Sequence, residues 1–174
     1  MLRYLRENLW RGLKTSPFKG PARAWALFPA FAAAALVVGF AARLFSYAPL
    51  PLPAAALLAV TLVVFPSIVE EAFFRGVLIP RDTAERGRGR AAANIAVSTL
   101  LFVAWHPLNA LVFTPSAAPI FLDPWFLVIV AALGVTCGYA YVVSKSIWAP
   151  VIIHWATVFA WVLFLGGRNL VLEM

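Results

Sequence analysis

The chain has 174 residues, 63% of them hydrophobic and 12% charged, with a mean hydropathy of +0.89 and a net charge of +7. Soluble proteins average roughly 45–50% apolar and about 25% charged residues, so this composition excludes a soluble fold and specifies an integral membrane protein. At about 20 residues per span, the length holds one all-α membrane domain of about five transmembrane helices and leaves no room for a separate soluble domain.

The first 23 residues carry Arg3, Arg6, Arg11, Lys14, Lys19 and Arg23 against one acid, Glu7. Leu2, Leu5, Leu9 and Leu13 fall on one side of a helical wheel and most charges toward the other. That pattern predicts a short amphipathic helix lying in the headgroup region, ended by Pro17 and Gly20. A cleaved signal peptide is a poorer reading, because the next apolar run is long and lacks a clear small-residue cleavage site after it. The membrane domain is expected over 24–167, with apolar spans near 24–44, 54–79, 91–113, 124–143 and 147–165, followed by a short tail, 168–174.

Charge placement orients these spans. With the N-terminus in the cytoplasm, the inner side collects the six N-terminal bases, Arg81, Arg86, Arg88, Arg90 and Lys145, while the other side collects Arg43 and Arg168. The loop 114–123 has no Lys or Arg. This follows the positive-inside rule and predicts a multi-pass protein of the cell (inner) membrane. The pI of 10.3 therefore reports headgroups and topology, and no nucleic-acid partner is expected. The lone Cys137 lies in an apolar run, forms no disulfide framework and fills space.

Three ionisable groups stand inside the second span, in Pro66-Ser-Ile-Val-Glu-Glu-Ala-Phe-Phe-Arg75. Each costs about 2.5–3.5 kcal/mol at the centre of a span, so such residues are paired or functional. Glu71 and Arg75, four apart, share a face and are expected to form an ion pair. Glu70, turned about 100° from Glu71, is left for other work or for snorkelling toward the cytoplasm. Two adjacent carboxylates in low dielectric make one of them basic enough to take a proton from water. Pro66, four residues before Glu70, is expected to loosen the helix and open room for water.

Both histidines of the chain, His106 and His154, also fall in spans. At 1.5 Å per residue, Glu70, His106 and His154 lie about 10–22 Å from the cytoplasmic ends of their helices. They are expected to meet in one cavity open to the cytoplasm. The chemistry of amide hydrolysis needs a base for water, a donor for the oxyanion and an acid for the leaving amine; Glu, Arg and two His supply these without a covalent nucleophile. No GxSxG elbow and no HExxH zinc helix occurs.

In this order the segments Glu70-Glu71-Ala-Phe-Phe-Arg75, Phe102-Val-Ala-Trp-His106 and Ser146-Ile-Trp-Ala-Pro150…His154 resemble the EExxxR, FxxxH and late-histidine motifs of the CPBP family. These are CAAX prenyl endopeptidase-like intramembrane glutamic proteases, including bacteriocin-processing and immunity members. The resemblance covers about 65–159. It implies peptide-bond cleavage next to or within the bilayer: Glu70 activates water, Glu71 and Arg75 support it, and His106 and His154 assist at the reacting carbonyl. Where the family often has a polar residue four positions after the last His, this chain has Val158, with Thr157 beside it.

The resemblance implies a membrane-anchored or lipidated peptide as substrate, no cofactor and no metal, and it leaves prenylated CAAX proteins, lipidated peptides and bacterial C-terminal sorting tails open. A bacterial processing role is expected of so minimal a chain, with a second copy or an accessory membrane protein completing the cavity. Three alternatives stay open on the residues alone. One is a non-catalytic immunity or scaffold protein binding a peptide in the same cavity; another is zinc held by the Glu and two His; the third is a proton-coupled carrier, disfavoured by five spans without internal symmetry.

Overall fold

The computed structural model describes residues 2–167; the expected tail 168–174, with Arg168, lies outside them. Among the described residues the fold is helical, with one isolated bridge, Ala48 to Leu165, in place of any strand. In chain order the elements are α1 (2–14), α2 (Leu27–Ala41), α3 (52–77), α4 (Arg88–Val112), α5 (Ala118–Phe121), α6 (Pro124–Ser144) and α7 (Trp148–Phe164). Among the described residues four helices are long and apolar enough to cross a membrane: Ala22–Ala41, Ala55–Val77, Arg88–Val112 and Pro124–Ser144. The fifth, α7, has 17 residues and reaches about 25 Å, the lower end for a span.

The apolar runs become helices because only internally hydrogen-bonded segments suit lipid, and local chemistry sets their limits. Asp123 caps α6, its carboxylate accepting from the Trp125 and Phe126 amides at 2.8 and 3.1 Å, with Pro124 in the first turn. Lys145 ends α6 in the left-handed conformation, φ 58°. The second span departs from one continuous helix. Phe65 is extended, φ −129° and ψ 125°, because the ring of Pro66 pushes the preceding residue out of the helical region. The kink falls just before Glu70.

The central helix is α6: 61% of its apolar window is buried inside the protein, against 17–22% for the other three long helices. Close approach to α4 explains this. A Cβ on Gly134 would come within 2.8 Å of Thr99, and one on Gly138 within 3.0 Å of Ile95. Small residues four apart let two membrane helices pack backbone to backbone. The outward faces carry Val37, Leu57, Val60, Leu100 and Leu111, which suits a lipid surround.

The N-terminal helix is tied to the bundle as well as amphipathic. Leu9 and Leu13 pack with Ile79, Tyr141, Ile147 and Val151. Gly12 and Gly76 each leave room for the Ile147 side chain. The buried Asn8 donates to the Ile79 carbonyl and accepts from the Arg81 amide. Arg81 donates to Thr15 Oγ1 and to the Lys145 carbonyl, while Trp148 Nε1 donates to the Leu13 carbonyl at 2.7 Å. Lys145 also pairs with Glu85. Thus α1 covers the end of the bundle that carries most of the bases. At the opposite end, the amides of Ser46, Ala48 and Leu50 donate to carbonyls of Leu165, Phe164 and Leu163.

Candidate active site

The kinked α3 delivers Glu70, Glu71 and Arg75 into the interior, where they are 7%, 0% and 0% exposed. Arg75 lies in an ion pair with Glu71, Nε to Oε2 at 3.1 Å, without the alignment of a hydrogen bond. Its Nη2 donates to the Gly134 carbonyl on α6 at 3.1 Å. Its guanidinium also sits 4.6 Å from the centre of the Phe102 ring, a cation–π contact that supports a charge in a dry site.

His154, 2% exposed on α7, places Nδ1 2.9 Å from Glu71 Oε1. A carboxylate only accepts, so Nδ1 carries the proton. The other nitrogen, Nε2, stands 3.9 Å from Glu70 Oε2, too far for a direct hydrogen bond and suited to one water touching both groups. Glu70 Oε1 accepts from the Trp105 indole at 3.1 Å, while Oε2 is buried without a partner. On α4, His106 turns Nδ1 toward the Phe102 carbonyl at 2.9 Å, which assigns the proton there and leaves Nε2 as an acceptor. The Phe102 ring is edge-on to His106 at 5.0 Å and to His154 at 5.7 Å. Phe102 is therefore the wedge that spaces the two imidazoles and backs Arg75.

A cavity of about 500 Å³ adjoins this cluster, and Glu70, His106 and His154 line it. Glu71 and Arg75 do not; they stand behind His154 and Glu70. All five expected site residues thus meet in one constellation, with one change of relationship. Glu71 reaches across to His154, whereas sequence reasoning had it supporting Glu70. The side chain that hydrogen-bonds Glu70 is Trp105, which sequence reasoning missed; the signal available was an indole N–H in lipid, which needs a partner when buried. Gly134 was also missed, since its contribution is a backbone carbonyl.

The walls of the cavity are biased toward one end of the bundle. Apart from 28–36 in the first two-thirds of α2, they come mainly from 58–66 before Glu70, 105–109 late in α4, 126–133 in the first half of α6, and 154–165 of α7. Those outside α2 lie toward the end away from α1. The end bearing the bases is closed by α1 and its hydrogen bonds to residues 77–81 and 145–148. Val158 and Thr157 both line the cavity, but the Thr157 hydroxyl donates to the Ile153 carbonyl at 2.8 Å. Its proton is taken by its own helix. Among the described residues no three His, Cys, Asp or Glu side chains are grouped to hold a metal ion.

In comparisons with known proteins, the family described as type II CAAX prenyl endopeptidase Rce1-like matches residues 51–160. That range contains Glu70, Glu71, Arg75, His106 and His154 and excludes α1 and α2. No curated protein and no solved structure matches the chain.

Proposed function

This chain belongs to the Rce1-like family of type II CAAX prenyl endopeptidases, and from that premise we propose that it is a glutamate-dependent intramembrane endopeptidase. The family implies a CAAX-type protease and a membrane-anchored prenylated substrate. In the proposed reaction Glu70 takes a proton from a water lying between its Oε2 and His154 Nε2. The water oxygen attacks the scissile carbonyl. His154, its ring fixed by the Glu71 carboxylate, accepts a hydrogen bond from the attacking water at Nε2 and so orients it, and the accepting Nε2 of His106 is placed to help position the substrate. The C–N bond then breaks, and the proton held by Glu70 passes to the leaving amine. Arg75 holds Glu71 and touches no reacting atom.

One observation carries this reading: Glu70 Oε2 is a buried carboxylate oxygen without a hydrogen-bond partner, 3.9 Å from His154 Nε2, on a residue that lines the cavity. By the charge distribution the N-terminus is cytoplasmic, which puts the cavity in the outer half of the membrane. A second reading, a non-catalytic immunity or scaffold protein that binds a peptide in this cavity, draws support from Val158 and from the engaged hydroxyl of Thr157. Purified protein in liposomes, given membrane-anchored peptides with and without a prenyl group, separates the two. Cleavage lost in Glu70→Ala and unaffected by chelators supports the protease. Saturable binding without cleavage supports the binder, and inactivation by a chelator with rescue by zinc overturns the metal-free mechanism.

A further inference from the structure

Two polar side chains in the cavity wall stand outside the catalytic cluster. Asn109 Oδ1 and Trp161 Nε1 are buried atoms without a hydrogen-bond partner, and both residues line the cavity. Unpaired buried polar atoms are costly, and each asks for a partner. Asn109 lies three residues beyond His106, one turn along α4. Trp161 lies seven residues beyond His154, within about 20° of the same face of α7. Each is three residues from the end of its helix. The two thus extend the faces that carry the histidines toward the same end of the bundle.

The site is rigid. The Trp161 ring stands 5.5 Å from Phe126 and rests on Gly167, where a Cβ would come within 2.5 Å of it. An indole N–H only donates, and a carboxamide both donates and accepts. Among the described residues no Lys or Arg lines the cavity, so the described lining offers an anionic group no counter-charge. The ligand that fits is neutral, offers one acceptor and one donor, and is flanked by apolar groups. A backbone peptide unit of an extended hydrophobic segment meets all three conditions. We propose that Asn109 and Trp161 hold such a peptide unit of the substrate, away from the scissile bond, and so select a polypeptide segment for this part of the cavity over a lipid chain.

The proposal rests on the peptidase reading, and its test is built to fail separately. A fluorescent, apolar membrane-spanning peptide is titrated into liposomes containing Glu70→Gln protein, with Asn109→Leu or Trp161→Phe added. Each added substitution is expected to weaken binding about tenfold, the loss of one hydrogen bond, with a melting temperature at or above the parent's. In the Glu70 background the same changes raise KM and leave kcat. Unchanged affinity in both variants overturns the proposal and leaves the two atoms to water. If Asn109→Leu does not fold, Asn109→Ser carries the same test. Peptide binding lost in these variants, in a protein whose wild type cleaves nothing, overturns the peptidase reading and keeps this one.

Discussion

At the level of single residues, the cluster is arranged so that each buried charge has a partner while one carboxylate oxygen is spared. Glu71 sits between Arg75 and His154, so removing either end of that chain strands a charge in a dry interior. Glu71→Gln and Arg75→Gln are each expected to lower stability by about 3–5 kcal/mol, read as a drop in melting temperature in detergent; wild-type melting in both removes the pair from the account. Trp105→Phe keeps the ring and loses the donor to Glu70, and kcat is expected to fall about tenfold with stability retained. Val158→Asn adds an amide one turn beyond His154 on the cavity wall. If catalysis lacks an oxyanion donor, turnover rises; if turnover is indifferent, a backbone amide already supplies one. The pairing of Glu71 with Arg75 was legible from their spacing of four. The bond from Glu71 to His154 was not, because it joins residues 83 apart and depends on how α7 packs.

Among the elements, the apolar runs and Pro66 were enough to locate the long helices and the weak point of α3, since lipid leaves helix as the only solution and proline restricts its neighbour. The seat of α1 was not legible. Its leucine stripe predicted a helix lying in the headgroup region; Asn8, Gly12 and Thr15 add a protein partner through contacts with residues 79–81 and 146–147. Asn8→Ala leaves the Ile79 carbonyl and the Arg81 amide unpaired. It is expected to cost about 1–3 kcal/mol and to speed proteolysis of the N-terminal segment, whereas Arg11→Ala, on an exposed position, leaves both unchanged. On α6, Gly134→Val drives a side chain into Thr99 and shifts the carbonyl that holds Arg75. Stability and turnover are expected to fall together.

For the whole molecule, the closing of one end by α1 and the placement of the cavity toward the other make sidedness the consequence to measure. Single cysteines at Ala160, in the cavity wall, and Arg11, on α1, are placed in a Cys137→Ala background. A membrane-impermeant maleimide is expected to reach Arg11→Cys from the cytoplasmic side and Ala160→Cys from the other; labelling of both from one side contradicts this placement. The central claim is narrower: Glu70 is the base that makes water a nucleophile. Turnover of a membrane-anchored peptide by Glu70→Gln in liposomes, measured beside its melting temperature, tests it directly. The account expects a fold that melts at or above the wild type and a rate lower by about 10²–10⁴-fold. A well-folded Glu70→Gln protein that cuts at the wild-type rate would contradict it.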